Sequence, residues 1–244
     1  MRDDRTRLAE SIVAGLADTD RRQATELVLR LAQEGIERSS TLIDIVARES
    51  LRAEGPETAS LWSESLPEGS LRAAAMSRVA REYARRDLVA AAAWVERSAG
   101  QDDAARAVES VADAWARQQP AEAVSWLEAL PAGSGQSAGL RSVFGDWEDR
   151  DPVAAGERLL EMPQSPQRDT AISGFSRGYA WQDPQVAIAW AESISDPNLR
   201  NETLTSAGQA YFRRDPDSAR SWLENSGLPA ELQEAVRNPP RRRR

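Results

Sequence analysis

Five glutamates recur at one position of a repeating pattern, and their type and spacing could let them act together chemically. Successive positions are 32 residues apart (96 − 64 = 32), and leucine, Leu160, occupies one of them. This glutamate column consists of Glu64, Glu96, Glu128, Glu192 and Glu224. Because stacked helical repeats place equivalent positions about 10 Å apart, we expect an acidic line along the protein. Such a line could bind basic or amino-terminal segments of a partner, with its charge steering the encounter.

A ladder of arginine–glutamate ion pairs is the alternative interpretation of the same column. Arginine stands eight residues after three of its positions (72 − 64 = 8), at Arg72, Arg168 and Arg200. Across a turn these side chains could neutralise the carboxylates, and each pair would contribute little to stability at a surface. Glu128 has Gln136 at the equivalent place. Recognition surface and structural ladder both stay open on the sequence alone.

A tryptophan column lies two residues before the glutamate column. It could offer stacking platforms for a sugar, a peptide or a base, but it shares a helical stripe with Ala and Leu. Tryptophan at helical spacing on an apolar stripe is typical of a core, so we favour a core position. Its members are Trp62, Trp94, Trp126, Trp190 and Trp222, with Arg158 replacing the tryptophan in one repeat.

Two features break the pattern and are further candidates for partner contact. Arg158 and Leu160 interrupt both columns in the same repeat, either because a partner is recognised there or through ordinary drift between repeats. Trp181 has no counterpart in other repeats and lies two residues after Tyr179, a member of a second aromatic column. We therefore predict that Trp181 is an exposed aromatic contact.

The composition argues against most catalytic and metal chemistry. The chain has no His and no Cys, which excludes the zinc, copper and iron sites built on those ligands and leaves only an all-oxygen site for a hard cation. It has no Gly-rich phosphate loop and no Gly-x-Ser-x-Gly motif. Catalysis by two carboxyls would need an Asp/Glu pair about 5–10 Å apart, and no aperiodic pair stands out. We expect no enzymatic activity, no catalytic residue, no cofactor and no metal.

Charge and hydropathy bear on partners and location. The net charge of −8 and the pI near 4.9 argue against nucleic acid, which binds clustered cations. No segment approaches the roughly 18 apolar residues that a membrane-spanning helix needs. The first residues mix acids with bases and lead into no apolar run, unlike a secretory signal. We expect a cytoplasmic protein, with a secreted or anchored parent protein as the alternative.

An Asp-Pro pair marks the helix that must carry each glutamate. The aspartate can accept the unpaired N–H groups of a first turn, and proline fits the first helical position. The proline column is Pro56, Pro120, Pro152, Pro184 and Pro216, with Leu88 in the second repeat, and alanine follows three residues later in all six. Each repeat is predicted to be a hairpin of helices of about 11 and 15 residues.

The two ends of the array are predicted to differ from its middle. Helices are expected over about residues 4–18, after an N-cap at Asp20, and from Ser39 or Ser40 to Gly55-Pro56. We assign residues 1–55 to divergent N-terminal capping helices and residues 56–215 to five regular repeats. Residues 216–237 are predicted to form a C-terminal capping hairpin, and residues 238–244 a disordered arginine tail.

The pattern resembles the tetratricopeptide repeat, an α-solenoid family. The resemblance covers about residues 56–237 and rests on Asp-Pro followed six residues later by tryptophan, as in Pro184 to Trp190 and Pro216 to Trp222. The family period is 34 rather than 32, and Leu127-Glu-Ala-Leu130-Pro131 replaces the family's Leu-Gly-x-x-Tyr. The resemblance implies an all-α fold, a right-handed α-α superhelix of about seven helical hairpins with a concave binding surface.

Three functions follow from this interpretation. The first is a non-catalytic scaffold that binds a protein or peptide on its solenoid surface, with the glutamate column as the candidate site for a basic partner. The second is a structural spacer or a subunit of an assembly. The third is a repeat protein that binds carbohydrate or acts on it with a carboxylate pair, which predicts exposed tryptophan rings beside a carboxylate.

Overall fold

The structure, a computed structural model, describes residues 2–36 and 38–238. Within these ranges the chain is all-α and contains no strand. Of the predicted arginine tail, residues 239–244 lie outside the described residues. The helices are α1 (Arg2–Thr19), α2 (Arg21–Gln33), α3 (Ser39–Glu64), α4 (Ser70–Arg86), α5 (Leu88–Glu96), α6 (Ala105–Ala116), α7 (Pro120–Ala129), α8 (Ser134–Arg150), α9 (Pro152–Glu161), α10 (Pro166–Tyr179), α11 (Pro184–Glu192), α12 (Pro197–Arg214), α13 (Pro216–Asn225) and α14 (Ala230–Arg237).

The aspartate of the Asp-Pro pair begins three of the short helices as its chemistry predicts. The Asp151 side chain accepts a hydrogen bond from the Ala154 N–H at 3.0 Å, and proline follows at the first helical position. Asp183 and Asp215 cap α11 and α13 in the same way. Asp87 also accepts from the Ala90 N–H at 2.9 Å, so the cap survives where Leu88 replaces the proline.

Helix α3 is two helical segments joined by a kink. Gly55 has φ 83° and ψ 174°, a conformation that residues with a Cβ rarely adopt, and Pro56 follows it. The predicted helix end at Gly55-Pro56 is therefore a kink, without an intervening loop. The second segment, which begins at Pro56, is the first helix of its repeat and carries Trp62 and Glu64.

The chain forms two compact units. Unit 1 comprises the residues up to Gln118 with Ala129–Gly139, and in it α3 packs on α1, α2 and α4, while α4 packs on α5 and α6. Unit 2 comprises Gln119–Glu128 with the residues from Leu140 onward. There α10 packs on α9, α11 and α12, and α12 packs on α11, α13 and α14. Each unit is thus built from helices that contact their neighbours along the chain, which is the packing of a helical-repeat protein.

The alanine column explains how the short helices pack closely. All six alanines have no exposed surface, because each faces the interior of its unit. They are Ala59, Ala91, Ala123, Ala155, Ala187 and Ala219. A larger side chain at this position would push the helices of a hairpin apart. The handedness of the superhelix, its 32-residue structural period and the division into caps and repeats stay predictions.

Candidate functional site

The first member of the glutamate column bonds to the tryptophan of the following repeat. Glu64 Oε1 accepts a hydrogen bond from Trp94 Nε1 at 2.8 Å and lies 3.4 Å from Arg97 Nη2. Glu64 ends α3 and Trp94 lies in α5, so the bond joins two consecutive first helices. We call such a pair of helices an interval, and we call this one the closed interval.

Arg158 takes the tryptophan's place in the same kind of bond. Its Nη2 donates to Glu128 Oε2 at 2.5 Å, from α9 to α7, and both side chains are largely shielded from solvent. The interruption of the tryptophan column therefore keeps an N–H donor for the preceding glutamate. This contact ties up both Arg158 and Glu128, two of the residues predicted to bind a partner.

The predicted arginine–glutamate ladder is not formed by the arginines that suggested it. Arg72 Nε lies 3.3 Å from Asp103 Oδ2. Arg168 donates to the Leu159 carbonyl and Arg200 to the Ile194 carbonyl, each at 3.0 Å, so both satisfy backbone groups near the end of a preceding helix. The donors to Glu64 and Glu128 instead come from the following repeat, in the tryptophan column and at Arg97.

Three tryptophans of the column confirm the favoured core position, and two depart from it. Trp62, Trp94 and Trp126 are buried. Trp190 and Trp222, both in unit 2, are half-buried. The expected uniform core column is therefore wrong at its C-terminal end, where tryptophan rings reach the surface.

An open groove lies between α11 and α13, and two column residues line it. Its volume is about 710 Å³, and it is lined by Glu192 and Gln185 from α11, Tyr211 from α12 and Trp222 and Asn225 from α13. Glu192 and Trp222 are equivalent to Glu64 and Trp94 (222 − 192 = 30; 94 − 64 = 30). Across the part of the chain that the structure describes, the Glu192 carboxylate and the Trp222 indole N–H make no hydrogen bond. We call this pair of helices the open interval.

Packing holds the Trp222 ring in the groove wall. The ring lies 6.2 Å from that of Tyr211, centroid to centroid, and Gln185 Nε2 donates to the Tyr211 hydroxyl at 2.8 Å. A Cβ at Gly208 would lie 2.9 Å from Trp222 Cη2, so only glycine leaves space for the ring there. Glu192 and Trp222 therefore both line the groove, and neither the carboxylate nor the indole N–H has a hydrogen-bond partner among the described residues.

Two aspartates beside the groove are already engaged. Asp217 lies 2.5 Å from Arg220 in an exposed ion pair. Asp215 caps α13, and hydrogen bonds from the side chain and backbone of Ser218 lower the pKa of its carboxyl. Glu192 is therefore the groove carboxylate that remains available to a ligand.

The other members of the predicted site are at the surface. Glu96 and Glu224 are exposed, and Glu96 is also engaged in a contact. Glu64 and Glu128 accept hydrogen bonds from the following repeat, whereas Glu192 lines a groove. Trp181 is 58% exposed, as predicted. Arg213 Cζ lies 4.8 Å from the centre of its ring, and Arg214 donates to its carbonyl at 2.7 Å.

Glu148 is a titratable residue that the sequence analysis missed. Its side chain is 3% exposed, and burial raises the pKa of its carboxyl to about 7, with Asp149 and Asp146 adding to the shift. It lies against Gly178, and Gln182 Nε2 lies 3.4 Å from its Oε2. The signal was present in the repeat alignment, because buried Ala116 occupies the equivalent position one repeat earlier (148 − 32 = 116).

The findings for a metal site and a membrane span in the described residues, and for a relative of the chain, are all negative. Over residues 2–36 and 38–238, no three acidic side chains are arranged to hold a metal ion. No helix in those ranges combines the length and apolar character needed to cross a membrane. No family model matches the chain, and neither the curated proteins nor the solved structures include a match.

Proposed function

We propose that this protein is a non-catalytic, tetratricopeptide-like scaffold that binds an extended protein segment in the groove between α11 and α13. The observation that carries this proposal is the open interval. The two residues that bond to each other in the closed interval here face a groove of about 710 Å³. That volume lies in the range of about 300–1,000 Å³ that is typical of ligand pockets.

The charge of the groove favours a basic residue in the partner. None of the residues that line the groove is basic, and Glu192 has no cationic partner within the described residues. An arginine of the partner could form a bidentate pair with this carboxylate. Ser221 and Asn225, also in the lining, offer hydrogen bonds to the backbone of an extended segment.

A binding role agrees better with the groove than catalysis by a carboxylate pair. Glycoside hydrolysis uses two carboxyl groups that divide the acid and base roles. In the groove, Arg220 pairs with Asp217, and this leaves Glu192 as the single uncommitted carboxylate. The groove therefore supplies charge and hydrogen bonds for recognition.

Binding of arginine-containing peptides to the full chain tests the proposal. The variant Glu192→Gln is expected to weaken binding about tenfold at low salt, because it removes the charge and keeps the shape. Glu224→Gln is the matched control, since Glu224 is the exposed next member of the same column and does not line the groove. Equal weakening by both substitutions, or no effect of Glu192→Gln, would contradict a site in this groove.

Carbohydrate binding is the second candidate, because the half-buried Trp222 ring lies in a groove with a carboxylate and amide side chains. Sugars stack on aromatic faces and bond to such polar groups. Titration with neutral oligosaccharides distinguishes the two. The carbohydrate function replaces the peptide function if two results are found together. Trp222→Ala abolishes saccharide binding, and Glu192→Gln leaves arginine-peptide binding unchanged.

A further inference from the structure

Two large apolar side chains are exposed on α9, which is the first helix of the repeat before the one that begins with α11. Val153 is 68% exposed and Leu160 is 69% exposed. They lie seven residues apart (160 − 153 = 7), about two helical turns, and so share one face of α9. We call this pair the apolar ledge.

The ledge belongs to the interval next to the groove. Helices α9 and α11 meet where Trp190 Cζ2 lies 3.7 Å from the place of a Cβ on Gly156. Leu160 stands 30 residues before Trp190, as Glu192 stands 30 residues before Trp222 (190 − 160 = 30; 222 − 192 = 30). In the glutamate column, the apolar Leu160 on α9 is therefore followed by the acidic Glu192 on α11.

We propose that the partner segment carries an apolar side chain that packs on the ledge and, about three residues away, a basic side chain that pairs with Glu192. This inference rests on the proposed function. Consecutive packed helices lie about 10 Å apart. An extended chain rises about 3.3 Å per residue, so about three residues span one interval.

Charge decides between this occupant and a second copy of the chain. Glu157 and Glu161, both exposed on α9, flank Leu160. A symmetric contact between two copies would bring these like charges together, because the same patch faces itself. A basic segment would be attracted by the same carboxylates.

The probe is a set of synthetic peptides with capped ends, in a Ser/Gly background. Each contains one Arg and one Leu, with zero to six residues between them; companion peptides replace Leu by Ser. The full chain is expected to bind most tightly at a separation of about three residues. The Ser companions are expected to bind about tenfold more weakly.

Leu160→Glu isolates the ledge. This substitution installs the residue that five other repeats carry at the same position, so the helix tolerates it. We expect it to remove the preference for Leu over Ser peptides while the dependence on Arg remains. Leu61→Glu is the matched control, because Leu61 is 64% exposed on α3 in the other unit.

The outcomes separate this inference from the function on which it rests. One result is that Glu192→Gln weakens the binding of all Arg peptides, while the wild type binds Leu and Ser peptides equally at every separation. The groove function then stands and the ledge inference is wrong. A Leu preference that survives Leu160→Glu, or that Leu61→Glu removes equally, also overturns the ledge. If no peptide binds, or if binding does not depend on Glu192, both the groove function and the ledge inference are wrong. Self-association lost in Leu160→Glu, without peptide binding, shows an interface between copies and overturns the proposal.

Discussion

The closed interval between α3 and α5 and the open interval between α11 and α13 contain the same pair of residue types in equivalent positions. In the closed interval Trp94 is buried and donates to Glu64 at 2.8 Å. In the open interval Trp222 is half-buried, and its ring packs over Gly208 beside the groove. In the closed interval, Ala80 stands at the repeat position equivalent to Gly208 (94 − 80 = 14; 222 − 208 = 14). The comparison teaches that one repeated pair of residue types can be joined by a hydrogen bond at one place and line a groove without that bond at another.

The largest expected effect comes from closing the space under Trp222. In Gly208→Ala the new Cβ would lie 2.9 Å from Trp222 Cη2 and from Val236 Cγ1, so the ring must move. We expect a loss of about 1–3 kcal/mol in the free energy of unfolding, as for other overpacked sites. Denaturant unfolding and hydrogen exchange in residues 198–225 measure it.

Gly100→Ala is the control for this substitution, because a Cβ at Gly100 would meet no atom within 4 Å. It is expected to leave stability within about 0.5 kcal/mol of wild type. Arginine-peptide binding should weaken in Gly208→Ala and persist in Gly100→Ala. Unchanged stability in Gly208→Ala would show that the ring does not depend on the glycine.

The two units also differ in a titratable residue, Glu148. Burial raises the pKa of Glu148 to about 7, whereas Ala116 occupies the equivalent position in the first unit. Because the folded pKa lies above its ordinary value of 4.5, the folded state holds the proton more tightly. Its contribution to stability is complete below about pH 4.5 and is lost as the pH rises through about 7.

We therefore compare the effect of Glu148→Gln on the free energy of unfolding at two pH values. This effect should be more stabilising at pH 8 than at pH 5 by about 1–3 kcal/mol. Unfolding in urea at the two pH values measures this change. Glu157→Gln, on the exposed face of α9, is the control for the loss of one carboxyl, and the change in Glu148→Gln is measured against it. Parallel pH profiles for wild type and Glu148→Gln would show that this carboxyl titrates normally.

The smallest effect tests the comparison most directly through two double-mutant cycles. Trp94→Phe with Glu64→Ala should show a coupling of about 1 kcal/mol, because their hydrogen bond is present in the wild type. Trp222→Phe with Glu192→Ala should show a coupling below about 0.3 kcal/mol. Free energies of unfolding of the full chain supply both values. Equal couplings would mean that the two intervals are closed alike.

Much of the local structure could be predicted because it depends on neighbours in the chain. The caps at Asp151, Asp183 and Asp215 use N–H groups two or three residues away, so Asp-Pro was enough to place them. Gly55-Pro56 likewise marked a break that the backbone shows as a kink. The all-α fold followed from helical spacing of the apolar residues.

The partners of the glutamate column could not be predicted in the same way. Arg72, Arg168 and Arg200 were close in sequence to the column. Arg72 instead contacts Asp103 and Gln101, and the other two donate to backbone carbonyls. The donor to Glu64 is instead an indole 30 residues later. The repeat pattern marks Glu148 as the acidic member of a column that holds Ala116 one repeat earlier, but only the packing shows that its carboxyl is buried.

By itself, the sequence determined where helices begin, which faces are apolar and which columns recur, because these properties depend on spacing along one chain. The tertiary structure decided which glutamates are bound and which one faces a groove. At Gly208 the absence of a Cβ leaves room for the Trp222 ring, a contact between residues that lie far apart along the chain. Hydrogen bonds form or fail over a few tenths of an ångström, a distance that no repeat pattern specifies.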